Sequence, residues 1–431
     1  MRVIWKFTSS KARKRLLPRL VEALRFRQSP EPVYPGSGYF HAVPKGRRAA
    51  RRLVDLLREH SREVAEISWE GAVTAPDGSG AEVASTSLPA LSWPRVDLVQ
   101  APVSYNWRDH QIYLRDARQG GIDALHAWTF AGGRGENVHL VDLEWGCDVD
   151  HEDLRVPLKG LDVPSDPHGT ESLGVCVGDP CNSFGVVGIA HRAQARLAPV
   201  ERHSWLVVKV TNVAKVLHEV TQKLSAGDVI LLELQANYEP PAVPKAAQNL
   251  PVELSPCVRE AIRKACDAGI YVIEPAGNGS APLENYGLTA ENRTPAIMVG
   301  AGHPLTHGHL YPSNFGERVD VQGWGMAVVT TGKGTLQAHQ DRRKTYSQTF
   351  GDTSAAAAIV AGAVACLSGI VKANQQPPLT PEAMRELLVS SGTHPGGDAG
   401  RKVGPLPNLK AAIAELSNRF GVLHPSQEQA A

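Results

Sequence analysis

The sequence predicts an α/β protein in which a parallel sheet carries helices on both faces, preceded by a small α+β domain. Beyond residue 111, short apolar runs alternate with helical patterns, and this alternation is typical of parallel sheets. Several runs are apolar throughout, as expected for strands that are buried on both faces. The chain has 431 residues, of which 42% are hydrophobic, so it can build a large core and a second domain.

The first part of the chain, residues 1–72, is predicted to form a small basic domain. Strands are expected at 1–7, 39–43 and 63–69, and helices at 10–26 and 47–60. Residues 73–104 are rich in Gly, Ser, Pro and Ala, a composition typical of a linker. The main domain is expected to cover residues 105–418, and residues 419–431 are expected to form a flexible tail.

The elements of the main domain are predicted from apolar runs and helical periodicity. Strands are expected at 138–141, near 195, at 229–234, near 271 and near 297. Helices are expected at 168–176, 212–224, 257–268, 354–365, 381–391 and 408–417. Residues 238–256 are rich in proline and are expected to form an insertion between a strand and a helix.

Three segments that lie far apart in the chain carry an aspartate, a histidine and a serine, in that order. Asp142 ends an apolar run, and an acid at the carboxyl end of a parallel strand lies where open α/β sheets place their sites. His168 stands between Pro167 and Gly169 at the expected start of a helix, which would hold it as rigidly as a general base requires. Ser354 begins a helix of small residues. This set predicts nucleophilic serine catalysis, in which the acid orients the histidine and the histidine takes the proton of the serine.

Two groups are candidates for holding the oxyanion of a tetrahedral intermediate. Ser354 would lie at the amino end of its helix, where free N–H groups and the helix dipole favour negative charge. Asn278 follows a predicted strand that ends in a glycine turn, and its amide could supply a second donor. Taken singly, an N-cap serine and a turn asparagine are common, so the inference depends on their combination.

The order Asp142, His168, Asn278, Ser354, with these local sequences, resembles the subtilisin-like serine peptidases, the subtilase family. The resemblance covers about residues 105–418. It also includes the segments 148–154, 185–190, 313–316 and 323–325. It implies a subtilisin-like fold, peptide-bond hydrolysis through an acyl-enzyme, a triad of Asp142, His168 and Ser354, and Asn278 as the oxyanion residue. No cofactor is implied, because water completes the reaction.

The chain departs from the family pattern beside these residues. Leu143 and Glu144 stand where the family has Thr-Gly, Asp352 where it has Gly, and Ala358 where it has Pro. These changes motivate a second interpretation, a pseudo-peptidase that binds peptide without cutting it.

The substrate cleft is expected to differ as well. Glu233, Leu234 and Gln235 replace a Ser-Leu-Gly strand end that lines the cleft in the family, and we expect them to bind substrate together with Ala276 and Gly277. Substrate would then lie extended along an edge strand. The acids at positions 233, 274 and 352 suggest a preference for basic substrate residues, which is a hypothesis.

Charge divides the chain unevenly. Residues 1–62 hold 16 lysines and arginines against 4 aspartates and glutamates, a net charge of +12, while the remaining residues together carry −11 of the chain's net +1. The basic segment could complement the acidic body, dock on nucleic acid or an anionic membrane surface, or form a solvated helix face.

The first domain also resembles the ferredoxin-like pro-domain of many subtilases, which would cover the cleft as an intramolecular inhibitor and be removed by self-processing.

Composition argues against several other classes of function. No apolar run of about 18 residues is present, so no membrane span is expected. The amino end lacks the apolar core of a secretory signal, which favours a cytoplasmic protein, with a secreted one as the alternative. The six cysteines form no Cys-x-x-Cys pair, and the histidines at 303, 307 and 309 show no fourth ligand, so no metal site is predicted.

Overall fold

The computed structural model describes residues 2–24, 30–34, 37–44, 46–70, 73–74, 96–97, 104–154, 165–200, 213–238, 247–421 and 423–425. Within these residues, an antiparallel sheet near the amino end is not hydrogen-bonded to a larger parallel sheet. The parallel sheet, with helices on both faces, confirms the predicted α/β class.

The amino-terminal residues form a four-stranded antiparallel sheet with two helices. Its elements are β1 (Arg2–Phe7), α1 (Ser10–Leu24), β2 (Glu31–Pro32), β3 (Tyr39–Ala42), α2 (Gly46–Glu59) and β4 (Val64–Glu70). The strand order β2-β3-β1-β4 gives the predicted ferredoxin-like α+β arrangement. The short strand β2 was missed by the sequence analysis because two residues show no periodicity.

Two further strands lie in the segment predicted to be a linker. They are β5 (Val73–Thr74) and β6 (Val96–Asp97). Each pairs with a strand of the main domain, so these parts of the segment are held in place by backbone hydrogen bonds. Most of the predicted linker lies outside the described residues.

The rest of the described chain contains eleven strands and seven α-helices. The strands are β7 (His139–Glu144), β8 (Gln194–Pro199), β9 (Val229–Leu232), β10 (Gln235–Tyr238), β11 (Ala247–Pro251), β12 (Tyr271–Pro275), β13 (Ile297–Gly302), β14 (Val321–Trp324), β15 (Val328–Thr331), β16 (Gln337–Ala338) and β17 (Tyr346–Phe350). The helices are α3 (Ala124–Ala127), α4 (Pro167–Val177), α5 (Val213–Thr221), α6 (Pro256–Asp267), α7 (Asp352–Ala373), α8 (Pro381–Ser391) and α9 (Leu409–Phe420). Strands β14-β13-β12-β9-β7-β8 form the parallel sheet in that order.

The two faces of the parallel sheet are covered by different helices. Helices α4 and α7 pack on one face, and α5 and α6 pack on the other. Along β7, Leu140 belongs to the first core, whereas Val141 and Leu143 belong to the second. Because side chains alternate along a strand, Asp142 and Glu144 point to the same face as Leu140, toward α4 and α7.

Helix α7 runs through the centre of the main domain. Residues 353–371 are all buried, and most of them are small. Small residues let other segments approach closely: a Cβ on Gly369 would lie 2.2 Å from the carbonyl oxygen of Gly132. By length and composition this helix could cross a membrane, but it is completely buried inside the protein, as the core helix of a folded domain is.

The amino-terminal sheet rests on α5 and α6 with the face opposite its own helices. Ile4 is buried in the same core as these two helices. Tyr34 stacks on His218 with ring centroids 4.5 Å apart, and Lys6 Nζ lies 3.3 Å from a carboxylate oxygen of Glu260. The two parts of the chain therefore share an apolar and polar interface.

Most basic side chains of the first domain lie elsewhere. The exposed lysines and arginines on α1 and α2 are Lys11, Arg13, Lys14, Arg15, Arg19, Arg48, Arg51, Arg52 and Arg58. They cover the helical side of the domain, and the sheet on the other side faces the main domain. We name this surface the basic layer.

Two expectations about chain organisation need correction. The proline-rich insertion, 238–256, contains a strand, because β11 pairs in antiparallel fashion with β10, which ends where the insertion begins. The predicted flexible tail, 419–431, begins inside α9, and the backbone N–H of Ala131 donates to His424 O at 3.0 Å. Residues 422 and 426–431 of the predicted tail lie outside the described residues.

Candidate active site

The site begins with two neighbouring parallel strands, β7 and β9. Their register aligns Asp142 with Leu231, and the backbone N–H of Glu233 donates to Leu143 O at 3.2 Å. Glu144 and Glu233 therefore stand side by side at the carboxyl ends of the two strands. Both are completely buried.

His168 is fixed by the first turn of α4. The side chain of Asp166 caps this helix by accepting a hydrogen bond from His168 N at 3.0 Å. Gly169 allows the turn to lie directly against the end of β7, since a Cβ there would be 2.1 Å from Gly146 O and 2.6 Å from Glu144 Cγ. The His-Gly-Thr sequence thus brings the imidazole to the carboxylate on β7.

Three side chains form a continuous hydrogen-bonded chain. His168 Nδ1 lies 2.5 Å from Glu144 Oε2, and His168 Nε2 lies 3.0 Å from Ser354 Oγ. The other oxygen of Glu144 accepts a hydrogen bond from Trp145 N at 2.6 Å. An acid, a base and a hydroxyl in this order can carry out nucleophilic catalysis.

Glu144 stands in the place that the sequence analysis predicted for Asp142. Neither carboxylate oxygen of Asp142 has a hydrogen-bond partner among the described residues. Burial, followed by the charges of Glu144 and Glu233, raises the pKa of Asp142 well above its usual range, which favours its neutral form. The expectation that Asp142 contacts the histidine is therefore wrong in this structure.

A signal for Glu144 was present in the sequence. The family resemblance expects a glycine two residues after the acid, and Gly146 stands two residues after Glu144. The corresponding position after Asp142 is Glu144 itself. Both acids point to the same face of β7, so strand periodicity alone does not distinguish them.

The structure brings Asn278 to the start of α7, next to the serine. Asn278 Oδ1 accepts hydrogen bonds from Thr353 N at 3.2 Å and Thr353 Oγ1 at 2.8 Å. These two bonds orient the amide, and they leave Asn278 Nδ2 buried without a partner among the described residues. Ser354 lies in the first turn of α7, where backbone N–H groups have no acceptor within the helix. An oriented amide and a helix amino end beside a hydroxyl can stabilise an oxyanion.

Asp352 begins the nucleophile helix in an uncommon conformation. Its φ of 56° lies in the left-handed region, which explains why the family has glycine at this position. Its backbone N–H donates to Gly325 O at 2.7 Å, which holds the turn in place. Asp352 is partly exposed and adds a carboxylate within two residues of Ser354.

The site contains an excess of buried carboxyl groups. Burial disfavours the charged form of His168, but Glu144, Glu233 and Glu171 outweigh this effect and raise the pKa of His168 to about 10. Burial raises the pKa of Glu233 to about 8; His168 opposes this rise and Glu144 adds to it. The imidazolium form is therefore unusually stable here.

The residues predicted to bind substrate are buried and are not spread along an open cleft. Glu233, Leu234, Gln235, Ala276 and Gly277 are all buried. Asn278 N donates to Gln235 Oε1 at 3.1 Å, which joins the two segments.

Glu274 does not lie on the side of the sheet that holds the catalytic residues. It follows Ile273, which faces α7, and one of its oxygens accepts a hydrogen bond from Glu253 N at 2.9 Å on the opposite face. The hypothesis of a cleft lined by Glu233 and Glu274 therefore loses its structural basis.

Strand β11 was not predicted to belong to this region. A Cβ on Gly277 would lie 2.3 Å from Asn249 O, so β11 packs directly on the turn before Asn278. Asn314 Nδ2 donates to both Asn249 O (2.8 Å) and Ala276 O (2.7 Å). The Ser-Asn-Phe-Gly segment at 313–316 was the only sequence signal for this contact.

No group of three or more histidine, cysteine, aspartate or glutamate side chains within the described ranges is arranged to hold a metal ion. In the histidine segment, His303 Nδ1 accepts hydrogen bonds from Leu305 N at 3.2 Å and Thr306 N at 3.3 Å. His309 Nε2 lies 2.8 Å from Ser313 O. These contacts explain the two histidines as parts of a structured turn.

Solved structures with similar folds are subtilisin-like. Fervidolysin from Fervidobacterium pennivorans, a keratinolytic enzyme related to subtilisin, aligns with a TM-score of 0.61 over 96% of this chain and 60% of its own, at 15% identity. A protease of Pseudoalteromonas arctica aligns with a TM-score of 0.53 over 72% of this chain and 98% of its own, at 20% identity. At these identities the alignments show the fold.

Sequence comparison extends this likeness. The intracellular serine protease of Paenibacillus polymyxa is 28% identical over 322 residues, which cover 69% of this chain and 86% of that protein. The subtilisin-like serine protease Cla h 9.0101 of Davidiella tassiana is 26% identical over 300 residues, and the match spans 54% of its length. The profile of the subtilase family matches residues 135–422. With the fold and the side-chain arrangement described above, this match shows that the chain belongs to the subtilase family.

Proposed function

We propose that this chain is a serine endopeptidase in which Ser354 is the nucleophile, His168 the general base and acid, and Glu144 the residue that orients the imidazole. The observation that carries the proposal is the buried hydrogen-bonded chain from Glu144 through His168 to Ser354. Nucleophile and base lie within hydrogen-bonding distance, and the base is held by a third group. The family membership and the serine-protease names of its relatives support the same reaction.

The reaction follows from these contacts. Ser354 Oγ attacks the peptide carbonyl carbon while His168 Nε2 takes its proton, and Glu144 stabilises the imidazolium through Nδ1. Asn278 Nδ2 and the Ser354 N–H donate to the oxyanion. His168 then protonates the leaving amine, and a water molecule, activated by the same imidazole, hydrolyses the acyl-enzyme.

Strand β10 offers a place for an extended polypeptide. The small sheet has the strand order β11-β10-β5. Strand β11 pairs with one edge of β10, and β5 pairs with the other edge. Gln235 pairs with Thr74, and Ala236 pairs with Val73, in antiparallel register. A substrate strand could form the same backbone bonds once β5 leaves, which is the β-augmentation mode of peptide binding.

The same pairing supports an inhibitory role for the amino-terminal domain. The domain packs on α5 and α6. Strand β5, which follows the domain in the chain, pairs with β10 near the site. We propose that it covers the cleft until the segment after it is cut, which self-processing would accomplish. The site would be latent in the uncut chain.

The basic layer supports a second candidate function, docking of the peptidase on an anionic partner. Its side chains are exposed on the helical side, and the sheet on the other side faces the acidic body. Electrostatic binding of this kind weakens steeply with salt. Absence of binding to both duplex DNA and anionic vesicles at low salt would remove this candidate.

A cytoplasmic location stays a prediction. One relative is named an intracellular protease, and other relatives come from fungi.

The peptidase proposal is tested with a fluorophosphonate probe and intact mass measurement on the full chain. We expect one adduct on the wild type and none on Ser354→Ala. The matched control is Ser368→Ala, because Ser368 is a buried serine on the same helix whose hydroxyl bonds Gly227 O, away from His168. A shortened wild type beside a full-length Ser354→Ala would support self-processing.

Latency is separated from inactivity by a second protein. A recognition site for an external protease is placed within residues 80–90, and the folded chain is cut before the probe is added. Labelling that appears only after cutting supports the inhibitory domain. No labelling after cutting contradicts the peptidase proposal and favours the pseudo-peptidase.

A further inference from the structure

Glu233 occupies a position in the site that the proposed mechanism does not use. It follows β9, and the β7–β9 register places it beside Glu144 on the face toward α4 and α7. The resemblance expects a serine here, so the acid is a feature of this chain. Its side chain is completely buried.

The Glu233 carboxylate lacks the partners that usually stabilise a buried charge. Neither oxygen has a hydrogen-bond partner among the described residues. The hydroxyls of Ser354 and Ser172 lie near enough to favour the charged form, but the effect of burial outweighs them. A buried carboxylate in this situation either binds a proton or shares one with a neighbouring cation.

The cation that most strongly stabilises the Glu233 carboxylate is the His168 imidazolium. Each group affects the other: Glu233 stabilises the charged imidazole, and the charged imidazole stabilises the Glu233 carboxylate. Glu144 differs, because it accepts the Nδ1 hydrogen bond directly. The other titratable groups whose charges act on this pair are Asp142 and Glu144 from β7, Glu171 and Cys176 from α4, and Lys333, which pairs with Glu171. Cys147, in the turn after β7, interacts with Asp142 and Glu144.

We propose that Glu233 is a second acid of the site, which shares one proton with His168 and so sets the pH at which Ser354 can be activated. In the resting state this proton lies on the imidazole, where the charge of the Glu233 carboxylate stabilises it, so His168 Nε2 cannot accept a proton from Ser354. As the pH rises, this proton leaves to solvent. The free Nε2 lone pair of His168 then accepts the Ser354 proton, so the number of protons balances over the cycle.

The direction of the effect follows from the charges. Glu233 adds negative charge beside the imidazole, so it keeps the imidazolium present to higher pH. Activity requires the neutral imidazole. The acid limb of the pH profile should therefore lie at higher pH than it would if Glu233 carried no charge. Removing the charge at position 233 should move the acid limb to lower pH.

The test is the pH dependence of kcat/KM for the wild type and for Glu233→Gln, an isosteric change that removes only the charge. Both chains are first cut within residues 80–90, which relieves the proposed latency. The proposal rests on the proposed peptidase function. The substrate is a labelled protein that peptidases of differing specificity can cut. We expect the acid limb to move down by about 1–3 pH units in Glu233→Gln. An acid limb that coincides with that of the wild type would overturn the proposal.

The matched control is Glu274→Gln. Glu274 is equally buried, and burial followed by the charge of Glu253 raises its pKa to about 8, but it lies on the opposite face of the sheet. We expect this variant to keep the wild-type acid limb. An equal shift in both variants would mean a general effect of losing buried charge and would contradict a local role for Glu233.

A second measurement does not need turnover. The His168 ring is titrated by NMR in the Ser354→Ala protein, with and without Glu233→Gln, and with Glu233→Ser if the glutamine variant does not fold. A lower His168 pKa without the Glu233 charge supports the proposal even if no peptidase activity is found. An unchanged His168 pKa refutes it even if activity is found.

Discussion

His168 Nδ1 lies 2.5 Å from an oxygen of Glu144, and Asp142, two residues earlier on the same strand face, has no hydrogen-bond partner among the described residues. The longer glutamate side chain starts from the last residue of β7, so it can reach an imidazole at the beginning of α4. Asp142 is one strand repeat further into the sheet. The acid that contacts the histidine, and that we propose orients it, is therefore the outer of the two buried acids.

The first prediction separates these two acids. Glu144→Gln should lower kcat by about 10⁴-fold, because an amide that donates to Nδ1 would impose the wrong imidazole tautomer. Asp142→Asn should remain within about tenfold of the wild type, because Asp142 is already favoured in its neutral form. Steady-state kinetics on both variants, with circular dichroism to check folding, provide the measurement. The reverse ranking would restore Asp142 as the orienting acid.

The second prediction concerns the oxyanion donor. Asn278→Ala should lower kcat by about 10²–10³-fold with little change in KM, because the amide acts on the charge that develops in the transition state. Thr353→Ala is the control: it removes one bond to Asn278 Oδ1 and keeps Nδ2 in the protein. A loss in Thr353→Ala as large as that in Asn278→Ala would show that the geometry of the turn, and not the donor, explains the effect.

The third prediction concerns the stability of the loop that follows α4. One guanidinium nitrogen of Arg108 lies within hydrogen-bonding distance of Asp179 O, Pro180 O, and both the carbonyl and side-chain oxygens of Asn182, at 2.8–3.2 Å. Arg108→Ala should lower the free energy of unfolding by about 1.5–3 kcal/mol, since it removes a charged donor from these oxygens. Arg108→Lys should recover only part of this loss, because the lysine ammonium does not reach as far as the terminal guanidinium nitrogen that makes these contacts.

The measurement for Arg108 is urea unfolding of each variant. Arg115→Ala is the control, because Arg115 donates to Asp109 O in an exposed setting and should change stability by less than about 0.5 kcal/mol. Equal losses in the free energy of unfolding for Arg108→Ala and Arg115→Ala would mean that the bonds from Arg108 to the loop carbonyls do not stabilise the protein.

The fourth prediction tests the occupation of β10 by the chain itself. Replacing Val73 and Thr74 together by proline removes backbone donors from β5 and should weaken its pairing. We expect faster labelling of Ser354 by the fluorophosphonate probe than in the wild type. The double alanine variant keeps the donors and should label at the wild-type rate. Equal rates in all three proteins would exclude β5 as a cover of the site.

The fifth prediction concerns substrate choice. Asn249 O packs against Gly277, and Leu250 is buried with Ala276, so β11 fills space beside the residues expected to bind substrate. We expect cleavage of a peptide library mainly after small side chains. Asn249→Gly should keep this preference, because the backbone carbonyl remains and the φ of 61° suits glycine. Enrichment of large aromatic or basic residues before the cut would contradict it.

The fold followed from the sequence because its main signals are local. Apolar runs identified β7, β9, β12 and β13, and the helix α8 begins and ends at the predicted residues, 381–391. The pairing of β10 with β11 depends on residues separated by a proline-rich stretch, and such long-range contacts leave no periodic pattern. The ordered residues after α9 were missed for the same reason, since Ala131 holds them from almost 300 residues away in sequence.

The site was predicted in part. His168, Ser354 and Asn278 came together as the resemblance implied, because each follows a distinctive local sequence. The acid that contacts His168 lies two residues after the predicted Asp142. A shift of two keeps a side chain on the same strand face, so only the distance to a helix from another part of the chain decides between Asp142 and Glu144.

The order of the reactive residues along the chain has a consequence for synthesis. Glu144 and His168 leave the ribosome early, whereas Ser354 opens a buried helix that is complete only at residue 373. Translation must therefore deliver more than four-fifths of the chain before a nucleophile exists, and that helix must enter the core between sheet and neighbours before it can act. A chain that ends before residue 354 consequently lacks the hydroxyl that the proposed reaction requires.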